Sequence, residues 1–157
     1  MDRAGWLLAR RPDGDRYHLI SARVIRVIDG DTIEVQIPDP IKHTETTRVR
    51  LIGIDCPETA HPGFSSKPAE PLADEATALT RSLVDGRMVV LRIEPQQTRD
   101  IYDRLLAHVD VPDGTNLAEH LLVAGLARRE NRWNHSMLLR YQQLELSAAR
   151  ARRGMWQ

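Results

Sequence analysis

The sequence predicts an α+β domain in which five short strands form a partly open barrel flanked by three helices. Three observations carry that expectation. β-Branched runs separated by turn signals fill the first third of the chain. A helix-spaced apolar stripe then interrupts the strands, and two further strand-like runs follow it. The last third reads as two more helices.

The elements follow in order. Residues 10–16, containing RPDGDR, are turn-like. Tyr17 to Ile28 is β-branched and partly alternating, a strand that ends at the hairpin signal Asp29-Gly30. Thr32 to Ile37 alternates strictly, with Ile33, Val35 and Ile37 on one face, and Pro38-Asp39-Pro40 stops it. Thr46 to Ile54 is the third strand of an antiparallel meander. His61 to Pro71 has no apolar period and is read as a loop. The first helix spans Leu72 to Val84, with Leu72, Ala76, Leu79 and Leu83 as its buried stripe. Asp85-Gly86 closes it, and Met88 to Ile93 and Arg104 to Val109 are the last two strands. Asn116 to Val123 is a short helix closed by Gly125. The final helix runs from about His135 to Arg152, with Met137, Leu138, Tyr141, Leu144 and Ala148 on its apolar side, and ends at Gly154. Three strands, a helix and two strands, in that order, fit a five-stranded barrel of the OB type.

The totals bound the rest. A chain of 157 residues makes one ordinary domain, expected over 1–157 with its core at about 22–156. Lys+Arg and Asp+Glu both number 22, so a nucleic-acid partner needs a local basic face rather than a basic whole. Nearly all the basic residues are arginine, which suits bidentate phosphate contacts. Cys56 is the lone cysteine, so no internal disulfide forms. No signal peptide and no membrane-length apolar run are visible. The expectation is a soluble protein, secreted or envelope-associated if a leader was removed and cytoplasmic otherwise.

Four polar clusters sit beside strand ends: Asp29-Gly30-Asp31, Arg50, Asp55-Cys56-Pro57-Glu58, and Arg99 to Arg104. Asp31, Asp55 and Glu58 offer the oxygen ligands that hard cations take, so Ca²⁺ or Mg²⁺ fits better than zinc. Arg50 and Arg104 suit a phosphate bound to such a cation, and a carboxylate beside it can orient or deprotonate water. Plainer roles stand beside these. Asp29 and Asp31 are ordinary turn residues, Glu58 a turn cap, and both arginines barrel-exterior side chains. Cys56 is a small semi-buried residue with no base to activate it. His61 is a loop residue or an auxiliary site residue, and Tyr102 stacks on a base or packs on the barrel. The remaining histidines form no metal set, and the C-terminal arginines a solvated face. One geometric difficulty is plain: in a regular strand Arg50 and Asp55 point to opposite faces, so a shared site requires an irregularity, for which Gly53 is the natural place.

VIDGDTIEV (27–35), VRLIGIDCPET (49–59) and RDIYDRLLAHV (99–109) together resemble the three signature segments of the thermonuclease family, the staphylococcal-nuclease-like domains. NLAEHLLVAGLAR (116–128) and ARRGMW (151–156) resemble its second helix and closing segment. The resemblance implies an OB-fold barrel with three helices and a calcium-dependent nuclease. Such an enzyme cuts DNA and RNA with little sequence preference at the P–O5′ bond and leaves 3′-phosphates. It implies Asp31, Asp55 and the backbone carbonyl of Cys56 as calcium ligands, with Glu58 holding the metal through water and activating the attacking water. Arg50 and Arg104 then clamp phosphate, and Tyr102 stands where family members often carry a tyrosine at the substrate. A monomer acting on DNA or RNA, single strands included, is expected. Asp103 replaces a usual glycine and Ile101 a commonly basic residue; an inward-facing Asp103 would oppose an anionic substrate. The competing reading is a non-catalytic OB module that binds nucleic acid or protein.

Overall fold

The computed structural model describes residues 6–7, 17–63 and 66–157; the turn-like RPDGDR segment lies outside them. In chain order the elements are β1 (Trp6–Leu7), β2 (His18–Asp29), β3 (Thr32–Val35), β4 (Thr47–Leu51), β5 (Ile54–Asp55), α1 (Ala73–Val84), β6 (Met88–Ile93), β7 (Leu105–Asp110), α2 (Leu117–Val123), β8 (Arg128–Arg129) and α3 (Leu138–Arg150). A 3₁₀ turn, Gly154–Trp156, follows.

The barrel closes because β2 is long and bent enough to serve two partners. Its first half pairs antiparallel with β6, from His18↔Ile93 to Arg23↔Met88. Its second half pairs antiparallel with β3, with register shifts between Val24 and Arg26 and between Val27 and Asp29. Such irregularities let a strand turn a barrel corner without losing its ladder. β4 then pairs antiparallel with β3 and parallel with β7. β7 pairs antiparallel with β6, which completes a mixed five-stranded ring of the OB type. Ile20, Val24, Ile33, Val35, Leu91 and Val109 fill it and are fully buried.

The helices differ from expectation in detail. α1 buries Ala73, Ala76, Thr77, Thr80 and Val84, while Leu79 and Leu83 are only partly covered. Small residues let it lie against the β2–β3 turn: a Cβ at Gly30 would meet that of Ala76 at 2.9 Å. Asn116 caps α2 by accepting the Glu119 N–H at 3.2 Å. α3 starts at Leu138 rather than near His135, because Ser136 is bonded to a buried polar network and His135 packs against its rings.

In that network the Glu94 carboxylate accepts His108 Nε2–H at 2.8 Å, the Ser136 N–H at 2.9 Å and the Ser136 hydroxyl at 2.8 Å. Tyr17 and Ser136 also share a hydroxyl hydrogen bond. Asn116 donates to the Tyr141 oxygen at 2.9 Å, which leaves the Tyr141 hydroxyl to donate to His108 Nδ1 at 3.2 Å. Every bond is satisfied with His108 neutral. Burial acts to raise the Glu94 carboxyl, but hydrogen bonds from His108 and Ser136 outweigh it and hold it at about 2. Burial pulls His108 below its ordinary value despite Glu94. Burial and then His108 pull His135 down to about 4.

These shifts fix an acid response. Both imidazoles are depressed in the fold, so the unfolded chain takes up their protons first. Stability is therefore lost as pH falls from about 6.5 through 4. Glu94 stabilises above its unfolded value of 4.5, and that contribution fades as pH falls toward 2. Urea midpoints should fall on acidification below about pH 6.5, and His135→Gln should flatten the decline between about 6.5 and 4. An unchanged slope in that variant would contradict the assignment.

Candidate active site at the barrel rim

Arg50 is the centre of the site. It lies on β4 opposite Thr32 of β3 and is 5% exposed, not on the barrel exterior. Its Nη1 donates to the carbonyls of Leu51 at 2.6 Å and Ile54 at 2.7 Å. Its Nη2 lies 3.2 Å from Asp55 Oδ1 and 3.5 Å from Asp31 Oδ2. The two aspartates thus face one buried guanidinium. The predicted single strand Thr46 to Ile54 does not exist. β4 stops at Leu51, Ile52-Gly53 forms a turn, and β5 pairs with β8 outside the barrel. Gly53 has φ 89°, which resolves the facing difficulty by a break in the strand rather than a bulge within it. The Gly53 carbonyl accepts the Glu130 N–H at 2.8 Å, and the His135 ring packs against its α-carbon.

Asp31 is buried in the β2–β3 turn, where Oδ2 accepts the Cys56 N–H at 2.8 Å and Oδ1 the Thr32 hydroxyl at 3.0 Å. That bond draws Cys56 beside the turn. The Cys56 thiol is buried, and burial pushes it well above its ordinary value, so it is no nucleophile. Partial desolvation, then the Asp31 charge, raise the Asp55 carboxyl above its ordinary value, with Arg50 acting against them. Glu58 is exposed; its backbone N–H donates to Glu70 at 2.8 Å and its carboxylate lies 3.9 Å from Lys67.

Asp100 builds the other wall. Its Oδ1 accepts the N–H groups of Tyr102 and Arg104, both at 2.9 Å, and its Oδ2 accepts Arg104 Nε at 2.7 Å. The Nη atoms of Arg104 make no hydrogen bond among the described residues. Its guanidinium carbon lies 5.4 Å from the centre of the Tyr102 ring, which is 63% exposed. Asp103 has φ 60° and so adopts the left-handed conformation glycine would take. Its carbonyl accepts Arg99 Nη1 at 2.8 Å, and it does not line the cleft. Ile101 is 85% exposed.

Asp31, Arg50, Asp55, Cys56, Glu58, Tyr102 and Arg104, all named from the sequence, line one cleft of about 360 Å³. Asp29, Thr32, Lys67, Glu70 and Arg132 line it too. Asp29 is more than a turn residue: Oδ1 accepts the Thr59 N–H at 3.0 Å and the Thr59 hydroxyl, and Oδ2 lies 3.1 Å from His61 Nε2. Ligand atoms of Asp29, Glu58 and His61 fall within 4.8 Å of one another, a second place where a cation could be held. The sequence signals Asp29 by its place in Asp-Gly-Asp and offers His61 as an auxiliary site residue; nothing in it links Arg132 to the rim. The donors facing Arg50 are all oxygen and two are mutually repelling carboxylates, a set that suits a hard cation.

Residues 48–157 match the family model described as staphylococcal nuclease homologue. An uncharacterized endonuclease of Escherichia coli O157:H7 is 34% identical over 137 residues, covering 87% of this chain and 77% of that protein. The thermonuclease of Staphylococcus hyicus is 35% identical over 136 residues, covering 85% of this chain and 74% of the other. Endonuclease YncB of Bacillus subtilis (strain 168) is 36% identical over 110 residues, covering 70% and 48%.

The break at Gly53 makes a sharp stability prediction. A Cβ there would lie 2.6 Å from His135 Cε1, on a backbone L-residues avoid. Gly53→Ala should lose at least about 2 kcal/mol in urea unfolding, from strain plus overpacking. Gly63→Ala, at φ 95° with nothing within 4 Å, should lose only about 1–2 kcal/mol. Equal losses would remove the packing role assigned to Gly53.

Proposed function

The chain belongs to the staphylococcal nuclease homologue family, and from that premise we propose that it is a calcium-dependent nuclease of low sequence specificity. One observation carries the proposal: a buried arginine faces two aspartates in a cleft that also holds Glu58 and Arg104. DNA and RNA are the substrates, single strands included, and one domain over 1–157, with its core at about 22–156, acts as a monomer.

Asp31, Asp55 and the Cys56 carbonyl would hold calcium, with Glu58 reaching it through water; magnesium fits these oxygens less well. The bound ion supplies positive charge to the phosphate oxygens. The carboxylate excess supports this reading. Asp29, Asp31, Asp55, Glu58 and Glu70 line the cleft against Arg50, Lys67, Arg104 and Arg132, so a polyanion enters more readily once a cation is bound.

Glu58 orients a water and accepts its proton as the water oxygen bonds to phosphorus. Arg50 and Arg104 offset the charge that gathers on the phosphoryl oxygens. Arg104, with its Nη atoms open to the cleft, also faces the departing oxygen. The P–O5′ bond breaks, the 5′ oxygen takes a proton from solvent water and Glu58 gives its proton back to solvent, leaving a 3′-phosphate and a 5′-hydroxyl. Tyr102, exposed beneath Arg104, offers a surface for a base.

Purified protein should cut single-stranded DNA with Ca²⁺ and stop when a chelator is added. Glu58→Gln and Arg104→Ala should each lower turnover by about 100-fold or more while thermal melts stay near the parent's. No calcium-dependent cutting across pH and salt would defeat the proposal, and binding without cutting would favour a non-catalytic OB module.

A further inference from the structure

We propose that Arg132 is a phosphate-binding subsite for a nucleotide beyond the scissile bond. Its role beyond a scissile bond rests on the nuclease reading, whereas its affinity for the strand does not. The sequence offers no hint of it, since Arg132 lies 28 residues past Arg104 in a polar connection before α3.

Three contacts fix where its charge sits. Glu130 is tied to the strand break by its N–H to the Gly53 carbonyl at 2.8 Å. Trp133 is 8% exposed and packs with Ile52 and Leu106. Between them, Arg132 lies with its guanidinium carbon 5.0 Å from the Trp133 ring centre and donates from Nη2 to Glu130 at 3.3 Å. The same indole carries Arg50 at 5.7 Å. One buried ring therefore sets the spacing of the buried arginine and the outer one. The indole lies beside the Arg132 guanidinium and Glu130 engages Nη2, while Nε and Nη1 make no hydrogen bond among the described residues and can each donate to a phosphate oxygen.

Its position gives the subsite a direction. The cleft continues into a groove of about 640 Å³ that shares Asp29, Thr32, Glu58, Tyr102 and Arg104 with it and extends to Arg26 and Arg48. Arg132 lines the cleft and not the groove. A strand with one phosphate between Arg50 and Arg104 and one arm in the groove sends its other arm past Arg132. The ligand group is a backbone phosphate, independent of base identity.

The test uses a labelled single-stranded oligonucleotide bound to Glu58→Gln protein with Ca²⁺ over a salt series. Adding Arg132→Ala should reduce the slope of log affinity against log salt by about 0.7, the share of one phosphate contact on a single strand. Arg132→Lys should keep most of the slope. In cleavage, Arg132→Ala should raise KM for the oligonucleotide several-fold at low salt with kcat unchanged. A dinucleoside monophosphate, which has only the scissile phosphate, should be cut as by the parent. An unchanged salt slope, or an equal loss on the dinucleotide, overturns the subsite. If the parent binds the strand but does not cut it, the nuclease reading fails while the slope still decides on Arg132. If the parent does not bind the strand at all, both fall.

Discussion

The buried guanidinium of Arg50 is the constraint around which the rim is organised. A charge at 5% exposure must be met by hydrogen bonds and opposite charge, because removing one partner of such a group leaves an uncompensated ion costing about 3–5 kcal/mol. Arg50 meets the demand locally. Two of its bonds go to carbonyls on either side of the strand break, at Leu51 and Ile54. Those carbonyls would have pointed into a sheet had β4 continued. Breaking β4 at Gly53 both frees them and swings Asp55 round to Arg50. The irregularity and the buried charge are one solution to one problem.

The same arrangement determines the electrostatics of the cleft. Arg50 acts to lower the Asp55 carboxyl, but burial first and the Asp31 charge second outweigh it and keep the group raised. Asp100 performs the matching task across the cleft by binding two backbone N–H groups and Arg104 Nε, so it shapes the turn and aims the arginine with one carboxylate. Asp103 sits in that turn with the backbone of a glycine and a side chain outside the cleft lining. The departure from glycine therefore places a side chain on a left-handed backbone.

Much of this was legible in the sequence, and the failures have physical causes. Period-two alternation located the barrel strands, because burial on one face leaves that mark. Arg50, Asp55, Glu58 and Arg104 converge on one cleft as their places at strand ends suggested. Of the stripe expected on α1, Ala76 is fully buried and Leu79 and Leu83 pack only partly covered against the core, while the close approach to Gly30 brings Ala73, Thr77 and Thr80 to the buried face as well. α3 starts late because His135 and Ser136 are engaged by side-chain hydrogen bonds and ring packing that no periodicity encodes. Asp29 with His61, and Arg132 with Trp133, are brought to the rim from separate loops. Tertiary convergence of that kind leaves no local pattern.

Core and rim meet at His135. Its ring packs on Gly53, lies 5.5 Å from Tyr141 and 5.8 Å from His108, and so stands between the strand break and the buried Glu94 network. Its Nδ1 accepts the Met137 N–H at 3.2 Å, which fixes the ring by the first turn of α3. Any change that repositions this imidazole acts on α3 docking and on the turn that aims Asp55 together. A packed interior adjusts in discrete steps rather than by continuous give. The site is therefore held by the core rather than added to it, and a substitution in the Glu94–His108–Tyr141 network should be felt at the rim without touching it.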